Sequence, residues 1–403
     1  MSSQPAVVPF VEPGPVDFRS APFLVIWEAT RACDLKCVHC RAEALPLRHS
    51  KELTREDVGG LIAQVRELGN PLFVITGGDP LKRDDIFDIV RDAANAGLRV
   101  AMTPSGTPLL TAEAIQCLRN AGLARLAVSL DGSGPAVHDA FRQVDGSFDV
   151  TVAAIRTARG IGLPVQINTT VSTRNVDDLS RIAALIVELD IVLWSVFFLV
   201  PTGRGERSDV LSAAEHEAVF HRLYDLSKRM PYDIKTTAAQ HYRRVVLQRR
   251  RKEAAARAAR GLPAEESRSG ATGGRGRSAM APGLETGGWR ASGPGDASIG
   301  RAAMGVNDGN GMIFVDHIGQ ICPSGFLPIV VGDVRRDRLA DVYRNHPVLR
   351  QLREPSGYGG KCGSCDFRDL CGGSRSRAFA LTGDYLASDP SCCYRPPKPR
   401  IGL

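Results

Sequence analysis

The sequence predicts an α/β protein: an open, partial (β/α)6 barrel of TIM-like kind, followed by a smaller C-terminal α+β domain. Three observations carry this. From residue 21 to about 205, short β-rich runs alternate with helical periods. Six such units in series imply a parallel sheet and are too few to close an eight-stranded barrel. The runs are nearly continuously apolar, as strands covered on both faces are. Finally, composition breaks near Arg249 and recovers near residue 305, so the 403 residues hold more than one unit.

The strand candidates are FLVIW (23–27), LFVIT (72–76), LRVAMT (98–103), ARLAVSL (124–130), PVQINTTV (164–171) and SVFFLV (195–200). Between them lie helices. Residues 54–69 start at Thr54 as N-cap and stop at Gly69. Residues 83–97 also end on a glycine, and 111–122, 149–162 and 175–189 repeat the pattern. Cys117 falls in this periodic pattern and reads as core. Residues 208–248 read as helical and transitional. From Arg249 to about 303 the chain is rich in Gly, Ala, Ser, Pro and Arg with almost no large apolar residues, which predicts a disordered insertion opening on a short basic helix. A nucleic-acid or partner-binding arm is the alternative. The predicted organisation is an N-terminal extension (1–20), a core (21–230), a connecting helix and insertion (231–304), a second domain (305–396) and a tail (397–403). The second domain opens on strand, turn, strand in GMIFVDHIGQICPSG, with Asp316 to Gly319 as the turn.

Composition excludes several classes. The N-terminus has neither the basic region nor the apolar run of a secretory signal. No segment has the roughly 18 consecutive apolar residues of a membrane span. A cytoplasmic location follows, where ten clustered cysteines favour metal over disulfide. The net charge of +7 is modest, and much of it sits in 243–260, with eight Arg/Lys and a single Glu. No nucleic-acid footprint extends over the chain.

Cys33, Cys37 and Cys40 form C-x3-C-x2-C just after the first strand. Three thiolates can hold three irons of a [4Fe–4S] cube. Clusters are usually tied by four cysteines, so a triplet leaves one iron open for a small molecule. The bland alternatives are structural zinc, which usually pairs C-x2-C with a second pair or with histidines, and plain core cysteines. The second strand ends in TGGDPL (76–81), whose two glycines allow close backbone approach.

The triplet and this loop together resemble the radical S-adenosyl-L-methionine (SAM) superfamily. The resemblance implies the open barrel, with the open iron chelating the amino and carboxylate groups of SAM. It implies that His39 stands where an aromatic often lies against adenine, and that Gly77, Gly78 and Asp79 correspond to a Gly-Gly-Glu-Pro loop binding the methionine amino group, with Asp for Glu. Ser105, Ser129 and Asp131 follow the third and fourth strands, where hydroxyls and carboxylates hold ribose or methionine groups. Arg142 resembles the arginine facing the SAM carboxylate, and Asn168 and Val200 resemble ribose and adenine contacts. Each of these positions also has an ordinary reading as a strand end, a surface ion pair or a turn residue.

Cys362, Cys365 and Cys371 form C-x2-C-x5-C, and Cys392 follows after twenty residues with Cys393 adjacent. The pattern resembles the SPASM/twitch extension of radical SAM enzymes, which implies one auxiliary [4Fe–4S] cluster, with structural zinc as the alternative. Cys322 resembles the first cysteine of the larger SPASM pattern and is an alternative ligand. Its usual companions are missing: Asp337 occupies the next cysteine position, and Ser374 and Arg375 lie where relatives carry another. CGSCDFRDLCGGSRSRA and GDYLASDPSC resemble the heme-related branch, that of heme d1 biosynthesis (NirJ-like) and alternative heme synthase proteins. The implied activity is reductive cleavage of SAM to a 5′-deoxyadenosyl radical that takes hydrogen from a tetrapyrrole side chain, with a ferredoxin or flavodoxin as electron donor. The alternatives are a maturase acting on a ribosomally made peptide, disfavoured by an N-terminal tail too short for a peptide-recognition domain, and an iron–sulfur or zinc regulator binding nucleic acid through 243–260.

Overall fold

The computed structural model describes residues 17–261 and 305–396. The expected insertion beyond residue 261, most of the N-terminal extension and the tail lie outside the described residues.

The barrel region runs β1 (Leu24–Glu28), α1 (Arg55–Glu67), β2 (Leu72–Thr76), α2 (Ile86–Asn95), β3 (Arg99–Met102), α3 (Ala112–Asn120), β4 (Arg125–Ser129), α4 (Pro135–Arg142), α5 (Ser147–Gly160), β5 (Val165–Val171), α6 (Leu179–Glu188), β6 (Leu193–Phe198), α7 (Ala213–Ser227), β7 (Asp233–Thr237) and α8 (His241–Ala259). The C-terminal region adds β8 (Met312–Val315), β9 (Gln320–Cys322), β10 (Gly332–Asp333), α9 (Leu339–Asn345), α10 (Pro347–Leu352), α11 (Gly360–Ser364) and α12 (Arg375–Thr382). All six expected strands form. Thr54 caps α1 in a reciprocal capping box with Asp57.

One sheet of ten strands runs β10-β9-β8-β1-β2-β3-β4-β5-β6-β7. Each neighbour from β1 to β7 pairs in parallel, and the ladder ends at β7 without returning to β8, so the barrel is open. Two strands depart from expectation. β7 lies inside 208–248, which the sequence presents as helical and transitional. Its run DIKTT has only one large apolar residue, because an edge strand packs a single face outward. β8 joins β1 in parallel, so the segment from residue 305 begins by extending the barrel's own sheet; only β9 and β10 turn antiparallel.

The strands are less uniformly apolar than expected. In β5, Val165, Ile167 and Val171 are buried, while Gln166, Asn168 and Thr170 line an interior cavity. This period-two alternation puts the core between sheet and helices and leaves a polar inner face. Cys117 is exposed; on α3, Ile115 and Leu118 are the residues that turn inward. The basic stretch from Arg249 continues α8 as far as Ala259.

Candidate active site and cysteine centres

The loop after β1 carries Cys33, Cys37 and Cys40 and is held by backbone bonds on three sides. Cys33 N donates to Leu45 O at 2.7 Å and Leu45 N to Arg31 O at 2.9 Å. Lys36 N and Val38 N donate to Arg142 O and Phe141 O at 3.2 and 3.1 Å, capping carbonyls that the end of α4 leaves open. Arg204 donates its backbone N to Cys40 O at 3.0 Å and its Nε to Cys37 O at 2.9 Å. Gly203 lets this loop close in: at φ +58° it lies so near that a Cβ would meet Cys40 O at 2.4 Å. Nothing in the sequence pattern marks Gly203 or Arg204.

All three cysteines line a cavity of about 370 Å³ inside the barrel, within the range of small-molecule clefts. Among the described residues no fourth cysteine lines it. His39, Gly77, Gly78, Ser105, Ser129, Arg142, Asn168 and Val200 line it too. His39 packs on Phe141 with ring centroids 4.7 Å apart, and its Nδ1 is buried without a partner. Burial, then the charges of Arg142 and Arg204, hold His39 neutral. Ser105 Oγ sits 3.3 Å from Cys33 Sγ and donates to Gly78 O at 2.8 Å. Burial pushes the Cys33 thiol up to about 11, the cost that positive iron would offset.

Two expected contacts are placed differently. Asp79 is fully buried behind the glycine loop: Thr107 Oγ1 donates to it at 2.7 Å, and the N–H groups of Leu81 and Ser105 point at it. Asp131 is also fully buried, accepting Thr170 N at 2.7 Å and pairing with Arg142. Neither carboxylate lines the cavity. They pin the loops that do. Arg142 Nη1 lies 3.5 Å from Cys37 Sγ. Burial opposes its charge, but Asp131 and the cysteine sulfurs hold it fully protonated.

Glu28, at the end of β1, ties the cysteine loop to the C-terminal region. It pairs with Arg41 at 2.6 Å and with His317 Nδ1 at 3.1 Å. Burial would raise its pKa, but Arg41, the His317 hydrogen bond and Arg31 bring it down to about 2. Arg41 also packs over the Phe314 ring at 4.9 Å.

A second, small void is lined by Cys362, Cys365, Cys371 and Cys392, with His241, Arg244 and Lys361 around it. N–H groups point at the sulfurs: Phe367 N at Cys365, Gly373 N at Cys371 and Asp389 N at Cys362, each at 3.4 Å. Arg375 is fully buried with its Nη2 3.6 Å from Cys362 Sγ. Cys393 is exposed and does not line the void. Cys322 does not reach it either. It is buried on β9, near Asp316, Arg41 and Glu28, where burial raises it to about 12; sheet pairing with β8 fixes it away from the four, so its expected role as an alternative ligand has no support here.

Both cysteine groups fit iron–sulfur cubes. Three sulfurs face a ligand-sized cavity in one, four line a small void in the other, and both carry the N–H or guanidinium contacts that stabilise thiolate sulfur. Among the described residues no three His, Cys, Asp or Glu side chains close on a single ion; a cube, with one iron per ligand, does not require that they do.

An open parallel barrel with a three-cysteine loop over its cavity defines an enzyme of the radical SAM type. Residues 27–186 match the Radical SAM superfamily. The chain is 38% identical over 383 residues to the AdoMet-dependent heme synthase of Methanosarcina barkeri, covering 95% of this chain and 99% of that one. The chain therefore belongs to the radical SAM superfamily. It is 27% identical to the pre-heme d1 synthase of Dinoroseobacter shibae, over 92% of this chain and 85% of that one. Among solved structures, SuiB of Streptococcus suis bound to S-adenosylmethionine superposes with a TM-score of 0.65 at 14% identity, covering 93% of this chain and 78% of that chain, a likeness of fold. Among the described residues no helix is long and apolar enough to cross a membrane.

Proposed function

We propose that this enzyme modifies a side chain of a tetrapyrrole, the target carbon lying on a propionate, and that it does so in the cytoplasm with a ferredoxin or flavodoxin as electron donor. The observation that carries the site chemistry is the cavity wall of three cysteines without a fourth. The substrate class is supported by the likeness, across nearly the full length of both chains, to a heme synthase. When bound, the cluster and SAM supply one-electron cleavage to methionine and a 5′-deoxyadenosyl radical able to take hydrogen from an unactivated carbon.

The chain's own residues orient and shield. Cys33, Cys37 and Cys40 would hold the cluster on a loop that Arg204 and the end of α4 fix from outside. Gly77 and Gly78 bring the second loop against it and expose backbone to the methionine end of SAM. Arg142, steadied by Asp131, presents its charge beside Cys37 Sγ and to the cavity. Ser129 and Asn168 offer polar atoms to ribose, and neutral His39 and Val200 form the apolar surface for adenine. The apolar strand residues Leu24, Ile26 and Val74 line the same cavity and keep water from the reacting carbon. Cys362, Cys365, Cys371 and Cys392 would hold the auxiliary cluster. The N-terminal turns of α8 separate the two sites: Gln240 and Arg243 face the cavity, while His241 and Arg244 face the auxiliary void.

The test is anaerobic reconstitution, reduction with dithionite, and incubation with SAM and iron coproporphyrin III, a propionate-bearing iron porphyrin. Formation of 5′-deoxyadenosine together with loss of carboxyl mass from the porphyrin is expected. Replacing Cys33, Cys37 and Cys40 together by Ala abolishes both. Nucleoside formed by the triple variant refutes the cluster assignment, and an unchanged porphyrin mass refutes the substrate class.

A further inference from the structure

Five cationic side chains line the barrel cavity: Arg41, Arg125, Arg142, Lys235 and Arg243. Arg41, Arg142 and Arg243 are engaged by the chain's own oxygens, and Arg125 also has a partner within the chain. Arg41 pairs with Glu28, Arg142 with Asp131, and Arg243 donates to Val306 O at 2.6 Å and Leu370 O at 3.3 Å. Lys235 differs: among the described residues no carboxylate, carbonyl or hydroxyl oxygen bonds its ammonium. The one acid lining the cavity, Asp308, is taken by Ser324 and by the N–H and hydroxyl of Ser376.

The position of Lys235 is fixed by the sheet. Ser129 stands opposite Asn168, Asn168 opposite Ser195, and Ser195 opposite Lys235, so Lys235 is in register with the hydroxyl and amide assigned to ribose, three strands beyond Ser129 and two beyond Asn168. Burial, then the neighbouring charge of Arg125, lowers its pKa to about 8. A half-buried cation on a cavity wall, with no anion against it, is unfavourable as it stands, and perturbed charges in a cleft mark functional positions.

We propose that Lys235 is the receptor for a carboxylate of the substrate, so that one propionate anchored on β7 sets which other side chain of the macrocycle reaches the SAM level. This rests on the tetrapyrrole reading above. It makes Lys235 a binding and positioning residue, with the ion pair completed only when substrate enters.

The test uses the full chain, anaerobically reconstituted, titrated with iron coproporphyrin III and with its tetramethyl ester by the Soret band. In Lys235→Gln the Kd for the free acid should rise by about thirtyfold or more, as for a buried charge pair losing one partner. Lys235→Arg should recover most of the loss, and the ester should bind parent and Lys235→Gln alike. Iron and sulfide content equal to the parent's shows that the variant is folded. The proposal is overturned if Lys235→Gln binds the free acid as the parent does, if it weakens acid and ester equally, or if it weakens SAM instead. In the first case the tetrapyrrole reading stands and only the lysine's role is lost. A parent chain that binds neither porphyrin overturns both.

Discussion

Gly78→Ala probes whether the glycine loop positions the cluster loop. An alanine Cβ there would lie 2.5 Å from Ala32 O, 2.7 Å from Arg31 O and 2.8 Å from Ala32 C. Ordinary contact needs roughly 3.5 Å, so the two backbones must part by about 1 Å. All three obstacles are main-chain atoms, so no rotamer change relieves them. The same approach carries two hydrogen bonds, Gly78 N to Thr30 O and Asp79 N to Ala32 O, both 2.7 Å. Stretching both costs about 1–3 kcal/mol, and overpacking adds about 1–3 kcal/mol. The displaced segment runs directly into Cys33. A misplacement of about 1 Å at a reacting centre is worth about 100-fold in rate. Gly60→Ala is the control: nothing lies within 4 Å of its Cβ on exposed α1, and a helical Gly→Ala change should stabilise by about 0.5–1 kcal/mol. Urea unfolding, iron content and 5′-deoxyadenosine formation should separate the two. A Gly78→Ala chain with parental stability and rates within about twofold would refute the reasoning.

Cys371→Ala should lower iron from about eight to about four per chain, one cube of two, while Cys393→Ala and Cys322→Ala should leave it near eight; loss on replacing Cys322 would contradict its placement on β9. Glu28 is held at about 2 against an ordinary 4.5, so its contribution to stability is fully present above 4.5 and disappears as pH falls through about 2. That difference corresponds to about 3 kcal/mol. Glu28→Gln should therefore lower unfolding stability by about that much at pH 7 and progressively less below pH 4, as urea midpoints across the range would show; an equal deficit at every pH would exclude the ionic contribution. Arg375→Ala removes the guanidinium beside Cys362 and should shift the auxiliary cluster's reduction potential in an electron-resonance titration while the three-cysteine cluster's stays put. Equal shifts in both would remove Arg375 from the auxiliary site.

The strands and the cysteine triplet were legible because local pattern determines them. FLVIW and LFVIT are apolar runs bounded by loop residues, and β1 and β2 form within a residue of those limits. β7 was not legible. DIKTT turns Lys235 and Thr237 toward the cavity, so a functional inner face replaced the apolar signal that reveals strands. The carboxylates were legible as important but not in what they touch. Asp79 and Asp131 sit at strand ends where ligands gather, yet each is spent on holding a neighbouring loop, and only three-dimensional hydrogen bonding distinguishes those uses. Arg204, Gly203 and the pairing of β8 with β1 depend on contacts across more than a hundred residues, which no local spacing encodes. Cys392 and Cys393 are adjacent in sequence; extended chain points neighbours to opposite sides, and the fold brings only Cys392 to the other three.

The role of α8 follows from where its burial stops. His241, Tyr242, Arg244, Val245 and Val246 are buried, whereas the residues from Arg250 onward are mostly exposed. The first two turns form the wall between cavity and auxiliary void. Arg243 reaches Val306 and Leu370 from that wall, and Asn307, which lines the cavity, donates to Gly373 O at 2.8 Å beside the auxiliary cysteines. The cavity and the auxiliary void are thus linked by hydrogen bonds to main chain and by the start of one helix. The basic run that looked like a nucleic-acid arm is the outer continuation of this wall. Its Arg249 is already satisfied by Asp225 at 2.6 Å and its Glu253 by Lys228 and Tyr224, so part of its charge serves the packing of α8 on α7 and is not free for a phosphate backbone.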